Sequence, residues 1–106
     1  MKLLLDENLP KKLKEGFPNH ETYTVRDMGW NGKTNGELLA LMIQGGFDVF
    51  LTFDRNLQYQ QNFKKYSIPV FVLSSKDNTY LNLKFLIPKV TALLSTQLMP
   101  RAYIIS

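Results

Sequence analysis

The chain has 106 residues, a formal net charge of +4 and no cysteine. This length suits one hydrophobic core, so we expect a single domain over residues 1–106. The lack of cysteine excludes disulfide bonds and thiolate metal sites. The apolar stretches are too short to span a membrane and no signal peptide is recognisable, so we expect a cytoplasmic protein without a membrane partner.

The positive charge is mild and by itself need only keep the protein soluble. A basic domain that also carries a cluster of acidic residues has the charges expected around a metal site that receives an anionic polymer such as nucleic acid. The composition therefore leaves nucleic acid binding open.

The N-terminal part predicts two strands separated by a short helix. Residues 2–5 are an apolar run of the kind found in buried parallel strands. Asn8 is predicted to cap a short helix, and Pro10 suits its first turn because that position needs no N–H group. Apolar and polar residues alternate over residues 21–26, which predicts the second strand.

The middle of the chain predicts a helix, a strand and a further helix. The spacing of Thr34 and Glu37 matches a capping box, and Gly45 and Gly46 can end the helix that follows. The apolar run at residues 47–52 predicts the third strand. Residues 57–66 are polar and compatible with a helix.

The C-terminal part predicts a strand at residues 69–73, a helix at 80–94 and a strand at 103–105. Pro88 is expected to kink or divide that helix. Strands that alternate with helices favour parallel pairing with right-handed crossovers. We therefore expect an α/β three-layer sandwich around a central, mainly parallel sheet of about five strands.

Acidic residues follow two of the predicted strands. Asp6 comes directly after the first strand and Asp54 comes two residues after the third. Because ligands of open α/β sheets bind outside the carboxyl ends of the strands, these carboxylates are candidates for a divalent cation site. The structural alternatives are a helix-dipole interaction for Asp6 and a turn for Asp54. No catalytic triad is recognisable, and His20, the one histidine, is expected at the surface.

Several polar residues near these acids have two open interpretations. Glu37 is either part of the capping box or a third acid of the site. Asp27 is a fourth acid or a cap of the turn at residue 29. Thr52 and Asn56 have short polar side chains that suit a metal-bound water or a phosphate oxygen. Arg55 could contact a phosphate or only solvent.

Taken together, four segments resemble the PIN-like domains. The opening MKLLLDENLP is similar to the N-terminal motif of small PIN-like proteins linked to toxin–antitoxin systems. The segments VRDMG (25–29), ELL (37–39) and LTFDRN (51–56) resemble later motifs of that group, in the same order. The resemblance covers roughly residues 1–75 and implies a metal-dependent ribonuclease.

The resemblance also implies roles for individual residues. Asp6, Glu37 and Asp54 match acidic positions that would be catalytic and would hold Mg²⁺ or Mn²⁺. Asn56 stands where the family often has aspartate, and it would ligate the metal through a neutral carbonyl. The partners implied are RNA and a cognate antitoxin protein, with a homodimer left open. The residues expected to hold the RNA are Thr52, Arg55, Lys11 and Lys12.

Two other functions stay open at this point. A receiver-like phosphoacceptor would use Asp54 as the acceptor and Ser74 or Ser75 after the fourth strand. That class also has a lysine just after the fifth strand, where this chain has Ser106. A catalytically degenerate PIN-like interaction domain would account for the neutral Asn56.

Overall fold

The structure is a computed structural model, and it describes residues 1–56 and 68–106. The strands in these ranges are β1 (Lys2–Leu5), β2 (Glu21–Thr24), β3 (Val49–Thr52), β4 (Val70–Leu73) and β5 (Ala102–Ile105). The α-helices are α1 (Asn35–Gln44), α2 (Tyr80–Leu83) and α3 (Ile87–Leu94), and 3₁₀ helices cover Lys11–Gly16 and Lys84–Leu86. The helix predicted over residues 57–66 lies outside the described residues.

The five strands form one sheet in the order β2-β1-β3-β4-β5, and every neighbouring pair is parallel. The predicted α/β class is confirmed. The chain first crosses from β1 to β2 on one side and then to β3 on the other side of β1. The crevice between the carboxyl ends of β1 and β3 is therefore the switch point of the sheet, which is the usual ligand position in this architecture.

The two faces of the sheet bury separate hydrophobic clusters. Leu3 and Leu5 belong to one cluster, whereas Leu4 belongs to the other, because successive side chains of a strand point to opposite faces. α1 covers the Leu4 face with its buried side chains. The first 3₁₀ helix, α2 and α3 cover the opposite face. Helices thus enclose the sheet on both sides, as expected for a three-layer sandwich.

Pro88 divides the last helical region, as predicted. The segment consists of α2, a 3₁₀ turn and α3, and the proline occupies the first turn of α3. Its missing N–H group costs no hydrogen bond there. In residues 1–56 and 68–106 no helix is both long and apolar enough to cross a membrane.

Two local predictions were wrong. Asn8 does not cap the first helix, because that 3₁₀ helix starts at Lys11 after Pro10 and has no capping bond from a side chain. β2 is also shorter than predicted, since it ends at Thr24. The chain forms a turn after Thr24 that Asp27 stabilises. The Asp27 carboxylate accepts the Thr24 N–H at 2.9 Å, and the Asp27 N–H donates to the Thr24 hydroxyl at 3.0 Å.

Candidate functional site

The two predicted strand-end acids lie at the same edge of the sheet. Leu5 of β1 is paired with Leu51 of β3, and the Asp6 N–H donates to the Leu51 carbonyl at 2.9 Å. Asp6 is therefore one residue past the pairing, in line with Thr52, and Asp54 follows two residues later. Both acids lie at the switch point, where parallel strands present their carboxyl ends to a ligand.

The Thr52 hydroxyl group connects these two acids. It donates to Asp6 Oδ2 at 2.7 Å and accepts the Asp54 N–H at 3.1 Å. It also accepts a bond from Asn8 Nδ2 at 3.3 Å. A hydroxyl group has one donor and two acceptor sites, so Thr52 is saturated, and its side chain is fully buried. In this structure Thr52 positions the acids, and its predicted contact with substrate stays a prediction.

Asn8 is the site residue whose position the sequence analysis misjudged. Besides its bond to Thr52, its Oδ1 accepts the Phe53 N–H at 3.0 Å. Asn78 Nδ2 in turn donates to the Asn8 carbonyl at 2.8 Å. The sequence feature that could have indicated a role of Asn8 at the site is its position two residues after Asp6, within the loop that follows the carboxyl end of β1. Asn8 ties that loop to the loop that follows β3.

The Asp6 carboxylate is partly withdrawn from water. This burial raises the pKa of Asp6 above its ordinary value of 3.8. The hydrogen bonds from the Thr52 hydroxyl, at 2.7 Å, and from the Glu7 N–H, at 2.8 Å, lower the pKa of Asp6. The negative charges of Glu7 and Asp54 raise this pKa further. The ionised form of Asp6 is thus disfavoured by its surroundings, and a cation would relieve this.

The loop after β3 is held by local hydrogen bonds. Asp54 Oδ1 accepts the Asn56 N–H at 2.9 Å, which is the turn predicted as the structural alternative for Asp54. The exposed Arg55 donates to the Ser74 hydroxyl after β4. The loop therefore has a fixed conformation beside Asp6, with the side chain of Asn56 at the surface.

Glu37 forms the capping box at the start of α1. Its carboxylate accepts the Thr34 N–H at 3.0 Å, and its own N–H donates to the Thr34 hydroxyl at 3.2 Å. The bond from the Thr34 N–H is the main cause that lowers the pKa of Glu37 below 4.5. Over residues 1–56 and 68–106, no three Asp, Glu, His or Cys side chains are grouped so that they could hold a metal ion. The three-acid metal site stays a prediction.

The Asp27 carboxylate is bonded to Lys14 and to the turn that follows β2. Its Oδ2 lies 2.7 Å from Lys14 Nζ, and this bond is the main cause that lowers the pKa of Asp27. In this structure the Asp27 carboxylate closes the turn between Thr24 and Asp27, not the turn at residue 29 that was one of its two predicted roles.

The predicted basic residues Lys11 and Lys12 lie on the 3₁₀ helix beside the site. Together with Lys14 and Glu15 they line an open groove of about 710 Å³. Lys12 Nζ lies 4.9 Å from the centre of the Tyr80 ring at the start of α2. This groove gives the protein a surface of positive charge next to the carboxyl end of β1.

Comparisons with models of protein families, with characterised proteins and with solved structures gave no significant match.

Proposed function

We propose that this protein is a metal-dependent endoribonuclease of the PIN-like type that acts as the toxin of a toxin–antitoxin system. The observation that supports the proposal most strongly is the charge balance at the switch point. Asp6 is partly buried and close to a second carboxylate, yet the one ion pair within 4.0 Å among the described residues is Lys14–Asp27. An acid pair that lacks a cationic side chain is typical of a cation site.

The donor groups at this edge suit Mg²⁺ or Mn²⁺. Both ions prefer oxygen ligands, and Asp6 and Asp54 offer carboxylate oxygens that are already oriented by Thr52 and by the Asn56 N–H. Asp6 and Asp54 would hold the ion, and Asn56 would add a neutral oxygen ligand. The bound ion would polarise a phosphate oxygen and lower the pKa of a water molecule.

The protein residues supply orientation, proton transfer and charge. Thr52 and Asn8 fix the position of Asp6 relative to the loop after β3. One of the acids would accept the proton of the water molecule, directly or through the ligand shell. Lys11 and Lys12 would attract the RNA phosphates along the 3₁₀ helix.

The proposal includes a cognate antitoxin protein as partner. A homodimer of this chain is a second assembly to test. The proposal also includes a cytoplasmic location, which suits a chain without cysteine. An antitoxin would inhibit the enzyme by covering the acidic edge or the basic groove. Copurification with the product of the neighbouring gene would test the partner directly.

The activity is tested with single-stranded RNA in the presence of Mn²⁺ or chelator. We expect cleavage that stops on chelation and falls about 100-fold or more in Asp6→Asn and Asp54→Asn, since even outer-shell partners of a metal contribute 10- to 100-fold. Asp48→Asn is the matched control, because Asp48 accepts the Lys2 N–H at the opposite end of the sheet. Cleavage that survives chelation, or equal activity of all three variants, would refute the mechanism.

One observation favours the receiver-like alternative. The order β2-β1-β3-β4-β5 is that of the flavodoxin-like sheet, which receiver domains share. Asp54 and Ser74 then lie after neighbouring strands, and Arg55, which follows Asp54 in the chain, donates to the Ser74 hydroxyl. Stable labelling of Asp54 by a small phosphate donor with Mg²⁺, without RNA cleavage, would favour this alternative. Absence of both activities with retained antitoxin binding would favour the degenerate interaction domain.

A further inference from the structure

A smaller cleft opens beside the candidate site, at the carboxyl ends of β1 and β2. Its volume is about 160 Å³. A cavity of about 150 Å³ in another protein holds one benzene molecule, so this cleft has room for one ring of a base, with the rest of the base toward solvent. We call it the base cleft. Its lining residues are Glu7, Leu9, Lys11, Thr24, Arg26 and Asp27.

The base cleft carries charged groups of both signs. Asp27 is already bonded to Lys14 and to the Thr24 N–H, so its charge is compensated. Glu7 keeps a net negative charge, although its Oε1 accepts the Gly32 N–H at 2.9 Å. A phosphodiester group has only acceptors, so it would suit Lys11 and Arg26 but not the Glu7 carboxylate. A neutral group with both donors and acceptors suits all three side chains, and a nucleobase is such a group.

The groove on the 3₁₀ helix differs in charge from the base cleft. Among the residues that the structure describes, three lysines and one glutamate line it, and this positive balance favours phosphates. Lys11 lines both spaces, which places the groove and the base cleft side by side. An RNA strand whose backbone follows the groove can therefore turn one base into the cleft, as proteins that read single-stranded RNA commonly require.

We propose that the base cleft binds a guanine next to the cleaved phosphate. Guanine presents two adjacent donors, N1–H and the N2 amino group, to a single carboxylate, and Glu7 can accept both. Arg26 can donate to O6 or N7 of the same base, which is the most common arginine contact to guanine. The inference rests on the proposed function because it takes RNA as the substrate, and it adds a base preference to it.

Binding of short RNA tests the inference without cleavage. The probes are fluorescent oligouridines that contain one central guanine, adenine or cytosine, and anisotropy is measured with the intact protein in chelator. We expect the guanine probe to bind at least about fivefold more tightly than the others, the lower end of what a bidentate base contact contributes. Equal affinity for all probes, or no binding of any, would overturn the inference.

Two charge-matched pairs of variants locate the preference. Glu7→Gln keeps an acceptor for the Gly32 N–H but removes the carboxylate, so it should abolish the preference for guanine. Glu15→Gln makes the same change of charge in the groove and should strengthen the binding of every probe equally. Arg26→Gln should also reduce the preference, whereas Arg101→Gln, before β5 at the opposite edge, should not. Equal effects of Glu7→Gln and Glu15→Gln on all probes would overturn the assignment.

The two proposals can fail separately. Cleavage in Mn²⁺ without any preference among the bases would leave the ribonuclease proposal standing and overturn the base cleft. A guanine preference that depends on Glu7, in a protein that cleaves no RNA with either metal, would support the cleft and overturn the ribonuclease proposal.

Discussion

Replacing Thr52 with valine tests the hydrogen-bond network of the candidate site. Valine has nearly the same shape as threonine but no hydroxyl group. The change leaves Asp6 Oδ2 without its 2.7 Å donor. It also removes the acceptor for the Asp54 N–H and for the Asn8 side-chain amide. Because Thr52 is fully buried, water cannot take the place of the hydroxyl at that position.

The expected loss of stability follows from these three bonds. A hydrogen bond to a charged group contributes about 1.5–3 kcal/mol and a neutral one about 0.5–1.5 kcal/mol. The groups on Asp54 and Asn8 are only half-buried, so water recovers part of their contribution. We expect Thr52→Val to lower the free energy of unfolding by about 3 kcal/mol. For a domain of this size that corresponds to a fall of about 12 °C in Tm.

The pH dependence distinguishes this bond from simple packing. The bond from Thr52 lowers the pKa of Asp6, so its loss raises that pKa further above 3.8. The folded variant then disfavours ionised Asp6 more strongly than the wild type does. The destabilisation should therefore be largest near neutral pH and smaller below pH 3.8, where Asp6 is protonated in the folded and the unfolded chain.

The free energy of unfolding is measured by urea denaturation at neutral pH and below pH 3.8, with Thr52→Ser as the control. Serine keeps the hydroxyl group and removes one buried methyl, which costs about 1 kcal/mol at any pH. Equal stability of the valine and serine variants at neutral pH would contradict the role given to the hydroxyl. The same conclusion would follow if the valine variant lost equal stability at the two pH values.

Three further substitutions test single residues. Burial, the main cause of the raised pKa of Asp6, makes the folded protein hold that proton longer than the unfolded chain, so stability falls as the pH rises above 3.8. Asp6→Asn should therefore raise Tm near neutral pH and leave it unchanged in acid; a lower neutral Tm would make Asp6 a structural residue. Glu37→Ala should lower Tm above pH 4.5, where the capping carboxylate is ionised, and the difference should vanish as the pH falls. It should leave the stabilisation by Mn²⁺ unchanged, and a lost Mn²⁺ effect would instead identify Glu37 as a ligand. Asn56→Asp should strengthen Mn²⁺ binding roughly tenfold and lower the Tm of the metal-free protein, because it adds a negative charge beside Asp54. Unchanged melting curves with and without Mn²⁺ would place Asn56 outside the site.

The sheet was predictable because its strands are short apolar runs bounded by turns. All five expected strands are present, with differences of one or two residues at their ends. The ends of β2 were harder to predict, since Val25 and Arg26 continue the alternating pattern beyond Thr24. What ends the strand is the pair of bonds between Asp27 and Thr24, which periodicity does not reveal.

The site was only partly predictable for a similar reason. Asp6 and Asp54 could be placed together because parallel strands bring their carboxyl ends to one edge. Asn8 could not be placed at the site from the sequence. An asparagine that precedes a proline and a lysine-rich turn matches the local pattern of a helix cap. The actual partners of Asn8, which are Thr52 and Phe53, are 44 and 45 residues away in sequence. Long-range bonds of this kind follow from the order of the strands, which had to be known first.

The network around Thr52 also explains how two carboxylates can stay close in a folded protein. Their repulsion and the burial of Asp6 both act against the ionised state. The opposing contributions come from two uncharged groups, the Thr52 hydroxyl and the Glu7 backbone N–H. These groups fix the geometry of the acids without neutralising them. An acid pair that is oriented but left charged reduces stability, and this cost is characteristic of sites at which a protein binds a cation or accepts a proton.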